Sequence, residues 1–153
     1  MGELLTLALA GPRATITLDR PEKHNLIEVD DIPRFLALLD EVDAAPEVRV
    51  VIVTGAGEKT FCSGIAIGDI GATDWSDNPL ERLVARLERV RVPTICALNG
   101  SVYGGACDLA LACDFRLGVT GMRLVLPAAK LALMYNVTGL KRLIERLGLD
   151  LAK

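Results

Sequence analysis

The sequence predicts an α/β fold built on mainly parallel sheets, and three observations predict it. Two apolar, β-branched runs, residues 48–54 and 94–98, read as strands covered on both faces, as a parallel sheet requires. Amphipathic segments of helical period separate the strand-like runs. Two glycine-rich turns, Phe61-Cys62-Ser63-Gly64-Ile65 and Tyr103-Gly104-Gly105-Ala106-Cys107-Asp108, each lie between such a run and a segment able to be helical. A strand that turns through small residues into a helix leaves backbone N–H groups aimed outward, with the helix dipole behind them. Two such turns brought together are able to hold one developing oxyanion.

Taken in order, residues 4–10 and 14–19 are short strands rich in Leu, Ile and Thr, and Gly11-Pro12-Arg13 between them implies a hairpin. Arg20-Pro21-Glu22-Lys23-His24-Asn25 breaks the pattern. From Ile32, the apolar positions Ile32, Phe35, Leu36, Leu39 and Val42 keep helical spacing, with Asp31 placed to cap and Pro33 tolerated in the first turn. That helix ends near Ala45-Pro46, and strand 48–54 follows. Asn78-Pro79 opens a second helix with Leu80, Leu83, Val84, Leu87 and Val90 on its inner face, stopped by Pro93. Strand 94–98, a turn over 99–105 and a short helix over 106–112 come next. Asp114 reads as a cap or anchor for the strand after it. Residues 116–119 and 123–126 are expected as strands, and 139–147 as a helix ending at Gly148. There is no internal sequence repeat. Trp75, in a polar loop, is either a simple aromatic anchor or part of a cover over a site.

Composition narrows the function. The 153 residues are 51% hydrophobic, which suits one compact domain. No apolar stretch reaches the roughly 18 residues of a membrane span, and the N-terminus lacks the basic start and cleavage region of a signal peptide. A cytoplasmic protein with no membrane partner is expected. A formal charge of −3 and few aromatic residues argue against nucleic-acid binding. Cys62, Cys96, Cys107 and Cys113 form no C-x-x-C pair, so buried free thiols are expected rather than a zinc site or disulfides.

Gly55-Ala56-Gly57-Glu58-Lys59-Thr60 lacks the glycine that a phosphate loop places before its Lys, and reads as a tight turn after a strand. Asn136-Val137-Thr138 matches a glycosylation acceptor, but without a secretion signal the match is accidental. His24 reads as a surface histidine. Asp108 stands out: a carboxylate among apolar neighbours and within a turn of the Gly104 and Gly105 amides, where burial raises its pKa and helix N–H groups lower it. The plain alternative is an acid that complements the helix dipole.

Residues 20–25, 48–57, 61–64 and 93–100, with Gly104-Gly105 and 108–114, resemble in order and spacing the crotonase superfamily of enoyl-CoA hydratases and isomerases. The resemblance implies a ββα superhelical core, with residues 1–153 as a single core domain that lacks the family's C-terminal helical trimerisation region. It also implies a coenzyme A thioester as ligand and substrate, no metal or redox cofactor, and homotrimers or hexamers. Apolar surface near Leu140, Leu143 and Leu147 would favour association.

Carried over by position, the oxyanion-hole amides fall on Ile65 and Gly105, with Gly105 expected in a backbone geometry that glycine adopts easily. The catalytic carboxylate falls on Asp108, where hydratases usually carry Glu. Lys23 and His24, in the turn that the resemblance places near the adenine and phosphates, are the implied binding residues for that end. Gly64, Ala66, Ile67, Tyr103, Gly104, Pro127 and Ala128 are implied around the thioester. Three departures stand out. The family's second carboxylate is replaced by Ala128, its Gly-Ala-Asp continuation reads Gly64-Ile65-Ala66-Ile67 with Asp69 displaced, and its next proline- and glycine-rich motif contains Tyr135. Tyr135 either packs or offers a phenol to the site. The leading expectation is an enoyl-CoA hydratase/isomerase-type enzyme that holds a thioester enolate. The rivals are a single-acid enoyl-CoA isomerase and a catalytically weak acyl-CoA-binding or assembly subunit.

Overall fold

The computed structural model describes residues 5–66 and 77–152. Strands β1 (Leu5–Ala10) and β2 (Arg13–Leu18) form the expected antiparallel hairpin. Helix α1 (Ile32–Ala44) follows, and then three rounds of one unit: β3 (Val50–Gly55), β4 (Thr60–Cys62) and α2 (Pro79–Leu87); β5 (Thr94–Leu98), β6 (Ser101–Tyr103) and α3 (Gly105–Ala112); β7 (Phe115–Gly118), β8 (Leu124–Val125) and α4 (Val137–Leu147). A short α5 (Leu149–Ala152) closes the described chain. The first strand of each unit joins one sheet, in the order β1-β2-β3-β5-β7, and the second joins another, β4-β6-β8. Every pairing except β1 with β2 is parallel. The repeat is one of elements, which is why no residue repeat betrays it.

Burial follows the predicted faces. Ile32, Phe35, Leu39 and Val42 of α1 are buried, with Leu38 inside in place of the half-buried Leu36. Asn78 caps α2 through a 3.1 Å bond from the Glu81 N–H, and Leu80, Leu83, Val84 and Leu87 face the core. On α4 Leu143 is buried while Leu140 and Ile144 are exposed. All four cysteines are buried free thiols, and burial pushes Cys62 and Cys107 up to about 12.

Some local expectations change. Asp31 does not cap α1; its carboxylate instead accepts two 3.1 Å bonds from the buried Arg20 guanidinium and one from the Glu28 N–H. The 99–105 turn contains β6, and 60–62 form β4, because each short run finds a partner strand that local sequence does not reveal. Asp114 anchors the strand before it, accepting from the Thr94 N–H at 2.8 Å and the Thr94 hydroxyl at 3.0 Å. Asn136 is the cap of α4, accepting from the Gly139 N–H at 2.6 Å, which accounts for Asn-Val-Thr structurally.

Asn25 ties the first irregular turn to β4. It is fully buried and left-handed at φ 54, its Nδ2 lies 3.0–3.1 Å from the carbonyl oxygens of Ala56, Thr60 and Phe61, and its Oδ1 accepts from the Arg20 N–H. Asn25→Ala leaves these groups unpaired and strains the backbone. The expected loss is about 3 kcal/mol of unfolding free energy by urea titration, since each orphaned buried group costs about 1–3 kcal/mol.

Candidate active site

The two glycine turns meet because β4 and β6 pair side by side, so that the chain leaves both strands at the same edge. Gly64 (φ 101) has no room for a side chain: a Cβ there would sit 2.9 Å from the Tyr103 carbonyl oxygen and 3.5 Å from the Gly105 nitrogen. Ile65 bridges Ile27 in parallel, with the Gly64 carbonyl accepting from the Ile27 N–H and the Ala66 N–H donating to the Ile27 carbonyl. Those flanking groups face Ile27, so the Ile65 N–H faces the other way. Gly105 is the first residue of α3, where helix N–H groups have no intrahelical acceptor. Among the described residues neither the Ile65 nor the Gly105 N–H has a backbone acceptor.

Glycine is needed here for reasons that differ from the expectation. Gly104, not Gly105, holds the left-handed backbone, with φ 55 and ψ −133. A Cβ on Gly105 would instead meet Leu80 Cδ2 at 2.5 Å.

A cavity of about 580 Å³ runs past both turns, and Gly64, Ile65, Tyr103, Gly104, Gly105, Asp108, Pro127 and Ala128 all line it. Leu80, Leu126, Leu131, Leu133 and Met134 make its wall largely apolar. Ala66 stands beside this cavity with its N–H already bonded, and Ile67 lies outside the described residues, as do Asp69 and Trp75. Lys23 and His24 are not part of it. His24 lines a separate hollow of about 500 Å³ with Pro21, Gly57, Lys59 and Thr60, and its Nδ1 is 3.0 Å from the Thr60 hydroxyl. Lys23 is spent on Glu28 at 3.3 Å, and Arg20 is turned inward to Asp31.

Asp108 is 2% exposed, and both its carboxylate oxygens are bonded. Arg142 Nη1 donates to Oδ1 at 3.0 Å, and the Tyr135 hydroxyl donates to Oδ2. Arg142, itself buried, also donates to Glu88 at 2.7 Å and to Glu81 at 3.0 Å. Burial pushes the Asp108 carboxyl above its ordinary value, against the lowering effect of Tyr135 and Arg142, and Glu81 adds repulsion. Burial also pushes the Tyr135 phenol up, and the neighbouring Asp108 charge pushes it further. Burial disfavours the Arg142 charge, but its hydrogen bonds to Glu88 and Glu81 outweigh that and raise its pKa.

Sequence reasoning missed Arg142, Glu81 and Glu88. The one available signal was that Arg142 adjoins the buried Leu143 on an amphipathic helix, which is too common to single it out. The arrangement as a whole offers two free N–H donors, a buried acid and a phenol around an apolar slot. Donors and an acid so disposed are chemically suited to polarising a carbonyl and moving a proton next to it.

A family model described as enoyl-CoA hydratase/isomerase matches residues 13–153. A carnitinyl-CoA dehydratase of Salmonella arizonae is 36% identical over 152 residues, covering 94% of this chain and 56% of that protein. A short-chain-enoyl-CoA hydratase of Clostridium acetobutylicum is 30% identical over 148 residues, covering 94% of this chain and 57% of that protein. The crystal structure of an enoyl-CoA hydratase from Bacillus anthracis superposes with a TM-score of 0.89 at 28% identity, over 98% of this chain and 60% of that one. The chain thus spans little more than half the length of these relatives.

The raised Asp108 pKa carries a pH consequence. Stability contributed by the protonated acid is fully present below its ordinary pKa of 3.8 and is lost as pH rises through its higher folded value. Asp108→Asn cannot ionise, so its denaturant midpoint should fall less than the wild-type midpoint as pH is raised from about 4 towards neutrality, a comparison made by urea titration across that window.

Proposed function

The chain belongs to the enoyl-CoA hydratase/isomerase family, and from that premise we propose that it binds an acyl-CoA thioester and stabilises its enolate with the Ile65 and Gly105 amides while Asp108 accepts and returns a proton. The observation that carries this reading is one largely apolar cavity lined by Ile65, Gly105 and the buried acid alike. A thioester carbonyl accepting both N–H bonds acidifies its α-carbon, because charge develops on oxygen where the donors already point. The apolar wall suits an acyl chain.

Between double-bond migration and hydration, the cavity favours migration. Asp108 is the sole acid lining it among the described residues, and Ala128 stands on its wall where the resemblance sets a second carboxylate. Migration needs one base to carry a proton between two carbons, whereas syn hydration uses two groups to hold and activate water. Whole-protein partners belong to the same proposal: coenzyme A thioesters as substrates and an oligomer built from copies of the chain.

Turnover is tested with a 3-enoyl-CoA, whose migration creates the conjugated enoyl absorbance, and with a 2-enoyl-CoA, whose hydration removes it. The amide at Gly105 is tested in a Leu80→Ala background, which makes room for a ring. Adding Gly105→Pro removes that N–H and should lower turnover about 10²- to 10³-fold relative to Leu80→Ala alone, as the loss of one oxyanion donor does. Turnover within a few-fold of Leu80→Ala would reject the assigned hole. Ala128→Glu should add measurable hydration of the 2-enoyl-CoA, because it places a second carboxylate on the cavity wall.

A further inference from the structure

Asp108 is poorly placed to touch a substrate itself. It is 2% exposed, Arg142 occupies one carboxylate oxygen, and the Tyr135 hydroxyl covers the other. Tyr135, by contrast, is half-buried and lines the cavity with Gly64, Gly105 and Ala128. Its ring has a built seat: a Cβ on Gly139 would lie 2.6 Å from Tyr135 Cε1, so the ring rests directly on the first turn of α4. One turn further along the same helix, Arg142 fixes the Asp108 oxygen that the phenol does not use. One helix therefore sets both halves of the contact.

Resting on the proposed thioester chemistry, we infer that Tyr135 is the catalytic residue that exchanges protons with the substrate and that Asp108 is the base behind it. The α-carbon proton passes to Tyr135 Oη as the phenolic proton passes to Asp108 Oδ2. The C–H bonding pair becomes the new C–C π bond, and the carbonyl π pair moves onto the oxygen held by the Ile65 and Gly105 amides. Reversal at the γ-carbon returns one proton from Tyr135 to carbon and one from Asp108 to the phenol, so the double bond has moved and the protein is unchanged. No oxidant or further reactant is required. The segment that has Ala128 in place of an acid thus supplies a proton-transferring group seven residues later. The charged and titratable groups facing the pair are Arg142 from α4, Glu81 from α2, Glu88 just beyond it, and Cys107 beside Asp108 on α3. Burial raises the pKa of both members.

The test reads proton transfer alone, as deuterium incorporation at the α-carbon of a saturated acyl-CoA in D2O, followed by NMR. Tyr135→Phe should slow exchange at least 100-fold with acyl-CoA affinity unchanged, in line with the usual worth of a positioned acid or base. A second arm keeps the shape of the site. The chain has two tyrosines, so in a Tyr103→Phe background global difluorotyrosine labels position 135 alone, and its more acidic phenol should change the exchange rate at neutral pH at least ten-fold relative to the unlabelled Tyr103→Phe protein. A tyrosine that only packs would leave that rate in place. Exchange by Tyr135→Phe within three-fold of wild type, or a labelled rate within three-fold of its unlabelled control, overturns the inference while leaving the thioester reading intact. A wild-type chain that binds acyl-CoA but neither exchanges protons nor turns over an enoyl thioester overturns both.

Discussion

The buried ion pair between Arg142 and Asp108 is the contact on which the site depends. It joins α4 to α3, and through Glu81 and Glu88 it reaches α2 and the residue following it, so three helices from three successive units meet at one guanidinium. The Arg142 side chain is 5% exposed and that of Asp108 2%. At such burial the loss of one partner strands the other charge, at a cost of about 3–5 kcal/mol. Burial, with a smaller repulsion from Glu81, is why Asp108 holds its proton more tightly than an ordinary carboxyl.

The glycine turns are governed by close approach as much as by backbone freedom. Gly64 and Gly104 supply left-handed conformations, and Gly105 supplies an empty space for Leu80. Together they let two strand ends approach until their N–H groups face one cavity. In the proposed reaction the amides need no reorganisation, because the β4 to β6 pairing and the start of α3 already fix them.

The basic turn at 20–25 is organised differently from the cavity. Arg20 is an internal strut to Asp31, Lys23 pairs with Glu28, and Asn25 bonds the backbone of the 56–61 segment. Its positive charges therefore have local partners, and the turn holds β4 in position for Ile65. The hollow lined by His24 shares no lining residue with the larger cavity.

By itself the sequence determined the elements whose physics is local. Periodicity marked α1 and α2, with Asn78 and Pro79 starting the latter, and unbroken β-branched runs marked β3 and β5. The small-residue turns and an acid among apolar neighbours drew attention to Gly64, Gly105 and Asp108, to which the family resemblance attached roles, and all three line one cavity. Tertiary structure alone decided what required a partner distant in sequence. β4 and β6 are too short to announce themselves and exist because they pair with each other. Asp31 and Asp114 found Arg20 and Thr94 rather than the local caps that proximity suggests. Arg142 lies 34 residues from Asp108 and 61 from Glu81, and Tyr135 lies 27 from Asp108. A charged side chain on an amphipathic helix reads as a solvated one until the fold encloses it, and only that enclosure, by removing water, turns Arg142, Tyr135 and Asp108 into a single unit.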